Sequence, residues 1–152
     1  MAIHFYVPRD EWGFLSNFSP HGVELDGAWW PTVEHYFQAQ KFAGSDAAYV
    51  ERIRRASTPK QAATLGRSRQ QPLRADWEVV KETVMLSGLV CKFATHPQLR
   101  ALLLATAGEE IVEASPSDYY WGCGADGSGR NRLGQLLMIV RERLRSAPGE
   151  DG

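Results

Sequence analysis

Apolar and polar side chains alternate over Ile3 to Val7, the period of a half-buried strand, and the same short period returns at Val23-Glu24-Leu25 and Ala28-Trp29-Trp30. Asp26-Gly27 between the last two runs is a two-residue hairpin signal, and a loop over Pro8 to Pro20 precedes it. After Pro31 the period changes to that of a helix. Thr32 is placed to cap a segment that continues through Phe42 and stops before Gly44. A second helix fits Asp46 to Ala56. Thr58-Pro59 then supplies a cap and a first-turn proline for a third helix, which ends near Gly66.

A basic polar loop, Arg67 to Pro72, leads to Asp76, which stands at the head of the longest helical pattern. There Val79, Val80, Val84, Leu86, Leu89, Val90 and Phe93 predict a broad apolar face running to about Thr95. Pro97 opens a further helix through Leu104. Glu110 to Ala114 and Tyr119 to Trp121 read as strands returning to the sheet, and a glycine-rich loop follows. From Asn131, the spacing of Leu133, Leu136, Leu137, Val140 and Leu144 predicts an amphipathic last helix. These elements define an α+β fold, a mostly helical single domain over residues 1–146. A small sheet is assembled from strands at both ends of the chain, and 147–152 is expected to be a frayed tail.

Length and composition agree with that plan. A chain of 152 residues, 43% hydrophobic and 23% charged, is ordinary for one globular core. The net charge of −1 argues against a surface built for non-specific nucleic-acid binding. Arginine nonetheless outnumbers lysine, 13 to 4, and arginine is the better phosphate ligand. Cys91 and Cys123 do not form a disulfide framework. With no apolar run long enough to span a bilayer and no leader pattern, the expected location is the cytoplasm, away from the membrane.

Candidate chemistry gathers on the helix after Thr32. Seven residues turn through about 700°, so Glu34 and Lys41 lie within about 20° of each other on one face, with Gln38 between them. Val33 and Phe37 beside that stripe predict a partly buried helix. The first turn favours the Glu34 anion through the helix dipole. A desolvated Lys41 would be a nucleophile toward an aldehyde-like sugar carbon, through a Schiff base. The bland alternative for such a pair is two solvated charges on one helix.

The run Trp30-Pro31-Thr32-Val33-Glu34-His35-Tyr36-Phe37-Gln38-Ala39-Gln40-Lys41-Phe42 resembles the signature of the NADAR family, and within it the YbiA-like branch. Further matching stretches are Gly13 to Phe18, Ala62 to Arg69, Asp76-Trp77-Glu78, Asp118 to Gly122 and Asn131 to Gly134, so the resemblance covers nearly the whole chain. It implies an N-glycosidase with a mostly helical α+β fold that breaks a ribose C1–N bond. It also implies that Lys41 forms the Schiff base while Glu34 and Asp118 move protons. The substrate it implies first is a phosphoribosylamino intermediate of riboflavin synthesis. The alternative is an ADP-ribosyl group on guanine, which would make ADP-ribosylated nucleic acid the partner. A non-catalytic module binding ADP-ribose or another nucleotide is the rival of a different class.

A ribose phosphate needs a flat surface for its base and donors for its phosphate. Asn17 is suited to sugar hydroxyls or a base edge, and Phe18 or Trp121 to stacking, although turn chemistry and core packing are the alternatives. Gly122 to Gly127 matches G-x-G-x-x-G in form, but no βαβ unit surrounds it, so a dinucleotide fold is rejected. Amides at Gly122 and Gly124 remain candidates for a phosphate cradle, against the alternative of a flexible loop. Arg67, Arg69 and Arg74 share one loop, with Arg9 and Arg130 near other pocket segments. Of these, Arg67 is the chosen phosphate ligand. Asn131 either caps the last helix or touches substrate. The four histidines lack metal-ligand spacing, and the reaction is expected to need no metal and no cofactor.

Overall fold

The computed structural model describes residues 1–146, so the expected tail at 147–152 lies outside the described residues. Four short strands and six helices follow one another as β1 (Ile3–Phe5), β2 (Val23–Leu25), β3 (Ala28–Trp30), α1 (Val33–Gln40), α2 (Ala47–Arg54), α3 (Pro59–Arg67), α4 (Trp77–Thr95), α5 (Pro97–Ala105), β4 (Ile111–Glu113) and α6 (Arg132–Ser146). This is the mostly helical α+β build that the hydrophobic pattern predicts. The chain divides into two compact units, Asn17–Lys92, and Met1–Ser16 together with the chain from Phe93 onward.

In the Asn17–Lys92 unit, β2 and β3 form an antiparallel hairpin in which Val23 pairs with Trp30 and Leu25 with Ala28. Its turn needs two left-handed residues, and Asp26 (φ 55°) and Gly27 (φ 77°) supply them. The chain then enters α1, whose eight residues are all buried, more completely than the predicted amphipathic stripe requires. Around it pack α2, α3 and the long α4. Phe37 meets Trp77 with ring centroids 5.2 Å apart. At Gly88 a Cβ would come within 3.0 Å of Val33 Cγ1, so α4 crosses α1 closely where it has no side chain. The buried positions of α4 are Trp77, Met85, Leu89, Lys92 and Phe93, while Val79 and Val90 are exposed. The predicted face was therefore rotated, because two valines in an apolar run were given inward positions that belong to Met85 and a lysine.

In the other unit, β1 and β4 pair in parallel with Ile3 opposite Ile111 and Phe5 opposite Glu113, which joins the two ends of the chain as expected. The hairpin is a second, separate sheet. Leu133, Leu136, Leu137 and Val140 of α6 are buried, and Gly134 lets the Ile111 carbonyl approach where a Cβ would lie 2.1 Å away. Buried Arg141 donates to Thr106 Oγ1 at 2.9 Å and to the Glu109 carbonyl at 2.7 Å. The strand predicted at Tyr119 to Trp121 does not form. The amides of Tyr120 and Trp121 donate to Asp118 Oδ1 at 2.9 and 2.8 Å, so the segment closes into a turn.

Candidate functional site

Helix α1 is held at its first turn by a reciprocal lock. Thr32 Oγ1 accepts from the His35 amide at 3.1 Å, and His35 Nε2 lies 2.9 Å from the Ala56 carbonyl. A carbonyl only accepts, so Nε2 carries the ring proton and Nδ1 accepts from the Thr32 hydroxyl, 2.8 Å away. Burial pushes the His35 pKa down, which keeps the ring neutral and in that tautomer. His35 is therefore a fixture of the helix, and its neighbour Glu34 faces elsewhere. The Glu34 amide donates to the Asn17 carbonyl at 3.2 Å, which ties the preceding loop to the start of α1.

Glu34, Gln38 and Lys41 are 7%, 4% and 8% exposed, so the shared face predicted from spacing is a buried one. Gln38 Nε2 donates to Glu34 Oε2 at 2.7 Å. Among the described residues, Lys41 Nζ donates to the Gly66 carbonyl, at a long 3.4 Å, and sits 5.8 Å from the Phe37 ring centroid. Gly66, buried near the end of α3, closes this cluster: a Cβ there would lie 2.0 Å from Gln38 Oε1. Desolvation brings the Lys41 pKa down to about 8, opposed by the Glu34 charge and assisted by Arg69 and Arg67. At pH 7 such an amine is ~9% free base, against ~0.03% for one at the ordinary value. The site thus holds a buried amine with an enlarged free-base fraction, near enough to a buried carboxylate to feel its charge.

The arginines divide by what already occupies them. Arg74 is tied to Asp76 through Nε at 2.6 Å and Nη2 at 3.1 Å, and its amide donates to the Lys41 carbonyl at 2.8 Å. It terminates α1 and is not a spare anion ligand. Arg67 and Arg69 are exposed and close enough to act on the Lys41 charge; Arg69 Nη1 donates to the Arg67 carbonyl at 3.1 Å.

Asn17 is buried beside Glu34, and its Nδ2 points at Met85 Sδ, 3.2 Å away; Phe18 next to it is half-buried. Two residues that sequence reasoning passed over belong to this unit. Gln38 was placed on the right face without a role. Lys92 is almost completely buried, and desolvation brings its pKa down to about 7. It lies one turn beyond Gly88, on the α4 face that packs on the first turn of α1. Its only sequence signal was a charge at an inward position of an apolar run.

The remaining predicted site residues, Asp118, Trp121, Gly122, Gly124 and Asn131, lie in the other unit. Asp118 Oδ1 organises its own turn, and Trp121 stacks edge-on against Tyr120 at 4.8 Å, with the Arg130 guanidinium 5.0 Å from the Tyr120 ring. Asn131 bridges β4 and α6: Oδ1 accepts from the Glu113 amide at 2.9 Å, and Nδ2 donates to the Ile111 carbonyl at 2.9 Å. In the glycine loop most amides, that of Gly124 included, are already engaged. The amides of Cys123, Gly124, Ala125, Gly127, Ser128 and Gly129 all donate inside the unit, Gly124 to the Ser115 carbonyl. Its glycines answer to packing, since a Cβ at Gly122 would lie 2.1 Å from the Glu113 carboxylate and one at Gly124 2.3 Å from the Tyr119 ring. A cleft of about 350 Å³ in this unit is lined by His4, Glu110, Cys123, Asn131, Gln135 and Met138 among others, and carries neither Glu34 nor Lys41.

The NADAR domain matches residues 4–145. An N-glycosidase of Nostoc punctiforme is 50% identical over 96% of this chain and 94% of its own length. The NMR structure of Escherichia coli YbiA is 53% identical with a TM-score of 0.87, covering 95% of this chain and 84% of that one. The chloroplastic riboflavin biosynthesis protein PYRR of Zea mays is 46% identical over 93% of this chain but only 25% of its own. Fold, buried amine and likeness to N-glycosidases along nearly the whole chain define a hydrolase that cleaves N-glycosyl bonds. The chain belongs to the NADAR family. Among the described residues, no helix is long and apolar enough to cross a membrane.

Proposed function

We propose that this N-glycosidase hydrolyses the ribose C1–N bond of phosphoribosylamino intermediates of riboflavin synthesis, with Lys41 as Schiff-base nucleophile. The observation that carries the reading is the buried Lys41 amine, its pKa brought down to about 8, with Glu34 on the same helix face. The name of the maize relative supports the substrate class. Arg67 and Arg69 give the lysine pocket a positive rim for the phosphate. The match across residues 4–145 supports one functional domain over 1–146. Free thiols at Cys91 and Cys123 fit a reducing compartment, and we place the enzyme in the cytoplasm.

The ring-opened substrate presents an imine carbon at C1. Lys41 Nζ adds to C1 as the free amine, its proton passes through Glu34 to the departing nitrogen, and the C1–N bond breaks. The lysine imine that remains takes up water at C1, and collapse of that adduct returns the amine and releases ribose 5-phosphate. Substrate plus one water gives sugar phosphate plus amine, with no cofactor consumed. The resemblance adds Asp118 as a second proton carrier, a role that Asp118→Asn tests through the pH dependence of kcat.

Side-by-side hydrolysis of a phosphoribosylaminopyrimidine and ADP-ribosyl-guanosine tests the substrate. We expect kcat/KM to favour the phosphoribosyl compound by at least tenfold. Preference for ADP-ribosyl-guanosine would overturn it, and binding of ADP-ribose with no cleavage of either would turn the reading to a non-catalytic module.

A further inference from the structure

Two buried side-chain oxygens in the Asn17–Lys92 unit, Asn17 Oδ1 and Gln38 Oε1, accept no hydrogen bond among the described residues. A buried amide oxygen left unmatched costs free energy, so its retention calls for an explanation. The Gln38 oxygen belongs to the Glu34 cluster, because Gln38 Nε2 donates to the Glu34 carboxylate at 2.7 Å.

The direction of the Gln38 amide follows from its neighbour. Nε2 donates to Glu34 Oε2, which turns Oε1 to the opposite side of the planar amide. There Oε1 lies against Gly66, where a Cβ would sit 2.0 Å away; the glycine leaves the room that this oxygen occupies. The Lys41 amine approaches the same residue from its carbonyl side, 3.4 Å away. Gln38 Oε1 is therefore held against Gly66, the residue whose carbonyl the amine approaches, as an acceptor with no donor among the described residues.

We propose that Gln38 is a substrate-reading and positioning residue. Its Oε1 takes an O–H donor from the sugar, and its Nε2 keeps the Glu34 carboxylate in place. Carbonyl oxygens repel a phosphate and attract hydroxyls, whereas Arg67 and Arg69 do the reverse. The substrate consequently lies with its sugar hydroxyls toward Gln38 and its phosphate toward the arginines. The ligand class is a polyhydroxylated sugar phosphate. The orientation rests on the reading under Proposed function, but its test needs no turnover.

The test is titration of the 15N-labelled protein with ribose 5-phosphate and, separately, with inorganic phosphate. The Gln38 side-chain NH2 resonances should move with the sugar phosphate and stay in place with phosphate alone. Gln38→Met keeps length and volume while removing both polar ends, and should weaken ribose 5-phosphate binding about tenfold, the effect of one neutral hydrogen bond. Ribose 5-phosphate that leaves the Gln38 resonances unmoved, or binds Gln38→Met as it binds the parent, would overturn the proposal. The resonance measurement uses the unaltered protein, so it decides the matter even if the variant does not fold. Loss of hydrolysis of phosphoribosylamino compounds alongside Gln38-dependent sugar binding would defeat the proposed substrate and leave this inference standing.

Discussion

The face of α1 that carries Glu34 and Gln38, with Lys41 at its C-cap, and the glycine loop over residues 122–129 both looked like ligand sites, yet they treat their polar groups in opposite ways. In the loop, amide after amide finds an acceptor within its own unit, and even the Asp118 carboxylate is engaged by the turn it starts. On the helix, among the described residues, the Lys41 amine at its C-terminal end is buried with one long hydrogen bond, and the Gln38 amide oxygen has none. Satisfied polar groups specify a fold. Unsatisfied buried ones make that unit less stable than it need be and hold groups ready for something else.

The largest expected effect is at Lys41. Replacing it with alanine should reduce hydrolysis to background, a loss on the order of 10⁴-fold or more, while the fold remains. Glu34→Gln removes the proton carrier and should lower kcat about 10²- to 10⁴-fold, read by steady-state kinetics at fixed pH. Near-parental activity in either variant would erase the contrast between helix and loop.

Stability should depend on pH in a way only the helix unit explains. The folded-state pKa of Lys41 is lowered to about 8 from 10.5, so between these values the unfolded chain binds more protons and stability rises with pH. The destabilising contribution is complete below pH 8 and relieved by about 10.5. It amounts to at most ~3 kcal/mol for this shift, and buried Lys92 acts in the same direction from a lower pH. Urea midpoints at pH 7 and 9.5 measure it, and Lys41→Met should reduce the difference to the part that Lys92 contributes. A parental midpoint that falls over that interval would contradict the buried-amine account.

Two glycine variants sharpen the comparison at smaller scale. Gly66→Ala forces a Cβ against Gln38 Oε1 and should cost about 1–3 kcal/mol of stability together with most of the activity. Gly124→Ala, at φ +72° against the Tyr119 ring, should cost a similar amount of stability while KM per folded molecule stays within about twofold. Urea denaturation and KM on the soluble fraction separate the two outcomes. A large KM change at Gly124 would restore the loop as a phosphate site.

Much of this contrast was legible in the sequence where local chemistry decides structure. Asp26-Gly27 specified its hairpin turn, and Thr32, Asp46 and Thr58 each cap the predicted helix through a side-chain acceptor. The angle between Glu34 and Lys41 followed from helix geometry alone. What the sequence hid depends on partners far along the chain. Periodicity could not tell Val90 from Lys92 as the inward residue of α4, because a lysine buries only where the surrounding fold compels it. Tyr119 to Trp121 had strand composition, but the Asp118 carboxylate captured the amides a strand would have offered. Gln38 resembled filler between two charges until the direction of its amide was known.

Borohydride trapping during turnover tests the central claim most directly, with the adduct located by peptide mass spectrometry. The account expects a reduced pentose-phosphate adduct on Lys41, forming faster as pH rises from 7 toward 8 with the free-amine fraction, and absent from Lys41→Ala. An adduct found on Lys92 instead, or full turnover with no trapped sugar at all, would contradict it.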